Sequence, residues 1–150
     1  MIKENTLKYL GHSGQQITDE MESLLDDCIR EVKQASQPKV ISRRFELSGE
    51  TPYIKELGLH LPGDQIQEAF LQCSHCLFIG ATLGVTLERK VKYYEKCNMT
   101  KAAVMDAAGS AYLEAYCDEY EDCLLYTSAQ GIKTPALADE LIRLAEERFE

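Results

Sequence analysis

CLFIGATLG at residues 76–84 and MDAAGSAYLEAYCDEYED at residues 105–122 decide how the rest of the chain is read. The first is a short, uncharged apolar run that ends on a glycine turn, so it predicts a strand buried on both faces and central in a sheet. The second keeps helical spacing. Met105, Ala108, Gly109, Tyr112, Leu113, Tyr116, Tyr120 and Cys123 gather on one apolar side of a long helix running from Lys101 to about Cys123. At 100° per residue, Asp106, Ser110, Glu114, Asp118 and Glu121 form a polar stripe on the opposite side. A strand of one kind and a helix of the other, in one chain of 150 residues, predict an α+β protein: a small mixed or antiparallel sheet packed by several helices, one of them long, near residues 100–123.

Outward from these two segments, the remaining elements follow from local signals. Between them, Thr86 to Tyr94 resumes helical spacing with Arg89, Lys90 and Lys92 outside, and Asn98 breaks it. Towards the N-terminus, VISRRFEL alternates Val40, Ser42 and Arg44 against Ile41, Arg43 and Phe45, which predicts a strand. Residues 48–53 read as a loop, IKELGLH at 54–60 as a weaker strand, and Pro62-Gly63 as a turn after which Asp64 caps the helix QIQEAFLQC. Thr18 opens a helix to about Ala35, with Asp19 and Glu20 in its first turn and Met21, Leu24, Leu25, Cys28, Ile29 and Val32 at helical spacing. Residues 3–10 read as a helical turn or short strand before the turn HSGQQ. Beyond Tyr126, TSAQGIKT reads as a loop, and Pro135 opens a last helix with Leu137, Leu141, Leu144 and Ala145 on its narrow apolar stripe.

Composition sets the function classes. With 45% hydrophobic and 27% charged residues the chain is expected to fold around one core, without a disulfide or metal staple. A net charge of −9 argues against nucleic acid, since phosphate binding needs a concentrated Lys/Arg surface. The N-terminal stretch lacks the apolar core of a signal peptide and no run approaches a membrane span, so a cytoplasmic protein with no membrane contact is expected. The six cysteines then read as reduced thiols.

Three motifs have chemical readings, each with a plainer structural one. Cys73-Ser74-His75-Cys76 has the spacing of half a zinc site, but a closed site needs two more ligands and His12 and His60 do not supply them at zinc spacing; the pair reads better as Cys73 closing a helix and Cys76 entering a strand. GATLG lies where phosphate-cradling turns lie, yet it fits neither GxGxxG nor GxxxxGK[ST] and reads as a strand-turn-helix junction. The carboxylate stripe is either a solvated face or an acidic groove for a cationic ligand or basic partner. No nucleophile elbow is present, so no catalytic residue is assigned.

Taken together, YLGHSGQ (9–15), the helix to Cys28, VISRRFEL, CLFIGATLGVTLERKV and MDAAGSAYLEAYCDEYED resemble, in this order, the activation domain of cobalamin-dependent methionine synthase, in its short stand-alone bacterial form. The likeness covers about residues 5–123 and places 1–123 as the domain, with 124–150 an unmatched loop and C-terminal helix. It implies an accessory module, non-catalytic by itself, that binds S-adenosylmethionine and serves reductive reactivation of a corrinoid protein. Cobalamin then comes through a partner, either a corrinoid-binding protein or methionine synthase modules, and the electron from a flavodoxin-like donor. The cofactors carry the chemistry and the domain supplies position. The chain departs from the family at several points: nothing after Cys123 matches its Arg-x-x-x-Gly-Tyr ligand loop, Gly11 stands where it has an acid, and Ser110 replaces a glutamate of the long helix. The candidate ligand positions are Asp106, Ser110, Glu114 and Asp118, with Asp106 and Glu114 left to attract a sulfonium or ammonium charge. The family's later strands are missing too, which is expected to leave a sheet edge exposed and to favour a homo-oligomer. The other reading is an acidic protein-interaction module without a small-molecule ligand.

Overall fold

The computed structural model describes residues 1–49, 52–70 and 73–129, with the side chains of 125–129 left aside. The expected helix after Pro135 lies outside the described residues, as do parts of the loop at 48–53 and of the helix at 64–73. The α+β class holds: among the described residues five helices accompany a four-stranded antiparallel sheet. Where the length argued for one core, the chain divides into two compact units, residues 41–80 and the chain on either side of them.

The first unit is helical. Residues 3–10, left open between helix and strand by the sequence, form α1 (Ile2–Tyr9). Next comes α2 (Asp19–Ala35), whose N-cap Thr18 accepts a hydrogen bond from the Met21 N–H through Oγ1 at 3.3 Å, satisfying one of the free N–H groups of the first turn. After the sheet come α4 (Val85–Cys97) and α5 (Met99–Ala129). Asn98 both ends α4 and starts α5, its Oδ1 accepting from the Lys101 N–H at 3.0 Å. The long helix packs against α1, α2 and α4. Their shared core is Leu25, Cys28, Val32, Leu83, Leu87, Val104, Met105 and Ala108, all buried. Since three helices enclose α5, its buried arc is wider than the stripe read from the sequence and takes in Ala102, Val104, Ala107 and Ala111. The helix also continues to Ala129, where a loop was expected after Tyr126. Between Gly109 and Gly131 there is no glycine or proline, so nothing local ends it earlier.

The second unit is built on β1 (Lys39–Ser48), β2 (Tyr53–Ile54), β3 (Leu59–His60), α3 (Asp64–Phe70) and β4 (His75–Thr82). Strand order is β3-β2-β1-β4. The weak strand at 54–60 resolves into two short strands around a 3-10 turn at Lys55–Leu57, closed by Gly58 in the left-handed conformation (φ 60°). Ladder pairs Leu47 with Ile54 and Tyr53 with His60 fix this hairpin on β1. On the other side Leu47 N–H donates to Ser74 O at 2.8 Å, so the end of β1 meets the start of β4.

One expectation fails here. The apolar run CLFIGATLG predicts a central strand buried on both faces, but β4 closes one edge of the described sheet, and its residues alternate between more and less exposed, with Phe78 42% exposed. An uncharged apolar run reports the absence of charge, and that is compatible with an edge as well as with a centre. The β1 alternation holds: Ile41, Arg43 and Phe45 share a face, on which the Arg43 guanidinium lies 4.9 Å from the Phe45 ring. Only part of that face is covered. Phe45, Ile54 and Cys76 are buried together, with Leu47, Leu61 and Phe70 against them, while Ile41 is 73% exposed.

Candidate functional site

The GATLG turn delivers the chain from β4 into α4, and the groove that follows is lined by that turn and by two helices. Gly84 is the N-cap of α4 at φ 84°, a conformation open to glycine, and a Cβ there would lie 3.3 Å from Gln37 Cβ. Its N–H donates to Thr82 Oγ1 at 3.0 Å. No side-chain hydrogen bond caps α4, and its N-cap Gly84, at the positive end of the helix, stands at one end of the groove.

Farther along, α4 and α5 approach so closely at Gly109 that a Cβ would meet Leu87 Cδ2 at 3.3 Å. The missing side chain keeps the floor open. Leu83, Leu87 and Met105 form that floor, flanked by half-buried Val91 and Leu113. Around them stand Glu88, Lys92 and Glu95 from α4 and Asp106 and Ser110 from α5, all exposed. The cleft measures about 470 Å³, within the size range of small-molecule sites. Three carboxylates against one ammonium give its rim a negative field, and the apolar floor offers a surface for the uncharged part of a ligand. The chemistry of this rim and floor suits an organic cation. The lining contains no cysteine and no histidine.

The four residues singled out from the sequence do not stay together. All are exposed, as a solvated stripe requires. Asp106 and Ser110 line the groove. Glu114 lies beyond it and accepts a hydrogen bond from Asn5 Nδ2 of α1 at 3.2 Å. Asp118 belongs to a separate hollow with Met1, Ile2 and Tyr116. The stripe is straight along α5, but α1 covers one end of it and α4 flanks the other, so a single ligand cannot span the four. Sequence reasoning missed Glu88, Lys92 and Glu95; their four- and three-residue spacing along α4 was the available signal.

On the opposite side of α4 lies a half-buried charge cluster that the sequence did not announce. Lys90, expected outside, donates to Glu31 Oε1 of α2 at 2.8 Å, and Lys101 of α5 contacts Glu31 Oε2 at 2.8 Å. Tyr94 Oη joins them, donating to Glu31 at 3.1 Å and accepting from Lys101 Nζ at 2.9 Å. Burial alone pushes the Glu31 carboxyl up, but the hydrogen bonds from Lys101, Lys90 and Tyr94 outweigh it and hold it at about 2. Hydrogen bonds to Glu31 and Tyr94 push the Lys101 ammonium well above its usual range. Three helices are thereby tied at one point.

Cys76 is buried in β4, where burial pushes its thiol up, while Cys73 is exposed, with Sγ 3.8 Å from Ala69 O. Among the described residues no group of three His, Cys, Asp or Glu side chains is placed to hold a metal ion, and no helix is long and apolar enough to cross a membrane. No protein-family profile matches the chain, and no curated protein sequence resembles it significantly.

Proposed function

We propose that the chain is an accessory module of the methionine synthase activation type, acting in the cytosol to bring S-adenosylmethionine to a corrinoid-bearing partner during reductive reactivation. The observation that carries this reading is the groove between α4 and α5, acidic at the rim and apolar on the floor. A sulfonium and an ammonium suit Glu88, Glu95 and Asp106, and the ligand's carboxylate suits the uncapped N-terminus of α4. The apolar floor suits the uncharged remainder. Of the four candidate ligand positions Asp106 and Ser110 serve this purpose, and Glu114 and Asp118 lie outside the groove. Cobalamin and its electron donor, of flavodoxin type, belong to the partner proteins, and the module contributes position and local charge.

Titration calorimetry tests this. S-adenosylmethionine is expected to bind, S-adenosylhomocysteine, which lacks the sulfonium charge, to bind more weakly, and Asp106→Asn to weaken the first severalfold while leaving the second nearly unchanged. No heat at millimolar ligand, with a basic protein still captured through Glu114, Asp118 and Glu121, would favour a pure interaction module instead.

A further inference from the structure

We propose that β4 is the interface through which two copies of this chain join, edge to edge and antiparallel, into a two-fold dimer. Among the described residues no strand lies on the outer side of β4, so alternate N–H and C=O groups along its eight residues turn away from β1. Natural edges of this length are blunted by lysine, proline or an inward charge. None is present here: from Ala69 to Leu87 the sequence holds no Asp, Glu, Lys, Arg or Pro. In a chain with 16 basic and 25 acidic residues, that is the longest uncharged stretch. A second copy is the occupant, because an uncharged strand offers a charged partner nothing to pair with and is matched by an identical uncharged strand. At a net −9, two copies repel over most of their surfaces, and β4 is the strand along which they approach without placing like charges face to face.

Symmetry adds a second argument. Phe78 is one of the two middle residues of β4, and an antiparallel two-fold passing through it sets Phe78 beside Phe78 of the second copy. Phe78 is 42% exposed and touches the Phe45 ring edge-on at 5.4 Å; next to it on the same face lie Gly80 and the 73% exposed Ile41, whose Cγ1 sits 3.4 Å from where a Gly80 Cβ would be. Pairing covers this apolar strip. The opposite edge, β3, is only two residues long and offers no comparable template, so association stops at two.

Sedimentation equilibrium of the full chain tests the proposal. The expected result is a monomer–dimer equilibrium that tightens as salt is raised, because screening removes the repulsion and costs an uncharged interface nothing. Phe78→Lys is expected to weaken the dimer at least tenfold. Because that variant also loses the Phe45 contact, concentration-dependent hydrogen exchange on the unaltered chain provides a second reading: alternate amides of β4 gain protection as the dimer forms, and those turned towards β1 do not. A monomer at all concentrations, a dimer that salt dissociates, larger oligomers, or β4 amides indifferent to concentration would each overturn the proposal.

Discussion

The two units of this chain bury cores of different size. In the helical unit, Leu25, Cys28, Val32, Met105 and Ala108 come from α2 and α5 and are almost wholly excluded from water, with Leu83 and Leu87 beside them. In residues 41–80 the buried cluster is Phe45, Ile54 and Cys76, and the strand pairs beyond it are two residues long. Apolar burial supplies most of the stabilisation of a fold, so the first unit is the rigid frame and the second the part that opens first. The candidate ligand groove is built wholly on the frame.

The largest expected effect comes from deleting core side chains on the two sides of this comparison. Leu25→Ala is expected to cost about 2–5 kcal/mol and to lower the melting of the helical signal as a whole. Ile54→Ala, equally buried, is expected to open residues 41–80 in hydrogen exchange while most of the helical circular dichroism persists. If both variants melt in one transition with the same loss, the two regions are a single cooperative unit and the contrast is wrong.

The charge cluster sharpens the comparison next. Glu31→Gln is expected to cost about 1–3 kcal/mol, since it leaves Lys101 and Lys90 short of their acceptor. The pH dependence has a fixed sign. Glu31 is held at about 2, below the 4.5 usual for a glutamate, so its contribution is complete above the unfolded value and disappears as pH falls from about 4.5 to 2. Urea titrations across that window are expected to show the unaltered chain losing its advantage over the variant; an advantage that grows on acidification would contradict the cluster's role. The smallest effect is Thr18→Ala, about 1 kcal/mol through the lost N-cap of α2, seen as a shift in the thermal midpoint with no change in the β-strand exchange pattern.

The same division explains what could be read in advance. Helix α2 was legible because its start, end and buried face are local: Thr18 caps it, Pro38 bars its extension, and Leu25, Cys28 and Val32 recur at helical spacing. Asn98 was legible for the same reason. The place of β4 in the sheet was not, because strand order depends on pairing between distant segments and an apolar run carries no mark of edge or centre. Lys90 was read as an outer residue because a lone lysine on a helix gives no sign of an acceptor fifty-nine positions away. The polar stripe of α5 was visible as a periodicity, but its division between the groove, the α1 contact and the hollow at Met1 is set by which neighbouring helix covers each turn. The glutamates of α4, which complete the groove, became part of it through the Gly109 approach, and a glycine inside a helix does not name its partner.

Whether the acid-rimmed cleft between α4 and α5 takes an organic sulfonium is read from amide NMR spectra of isotope-labelled protein recorded while S-adenosylmethionine is added. Saturable shifts are expected at residues 83–88, at Lys92 and between Asp106 and Ser110, with the 41–80 unit silent. Spectra unchanged at millimolar ligand, or shifts confined to the Glu114–Asp122 end of α5, would contradict binding in the cleft.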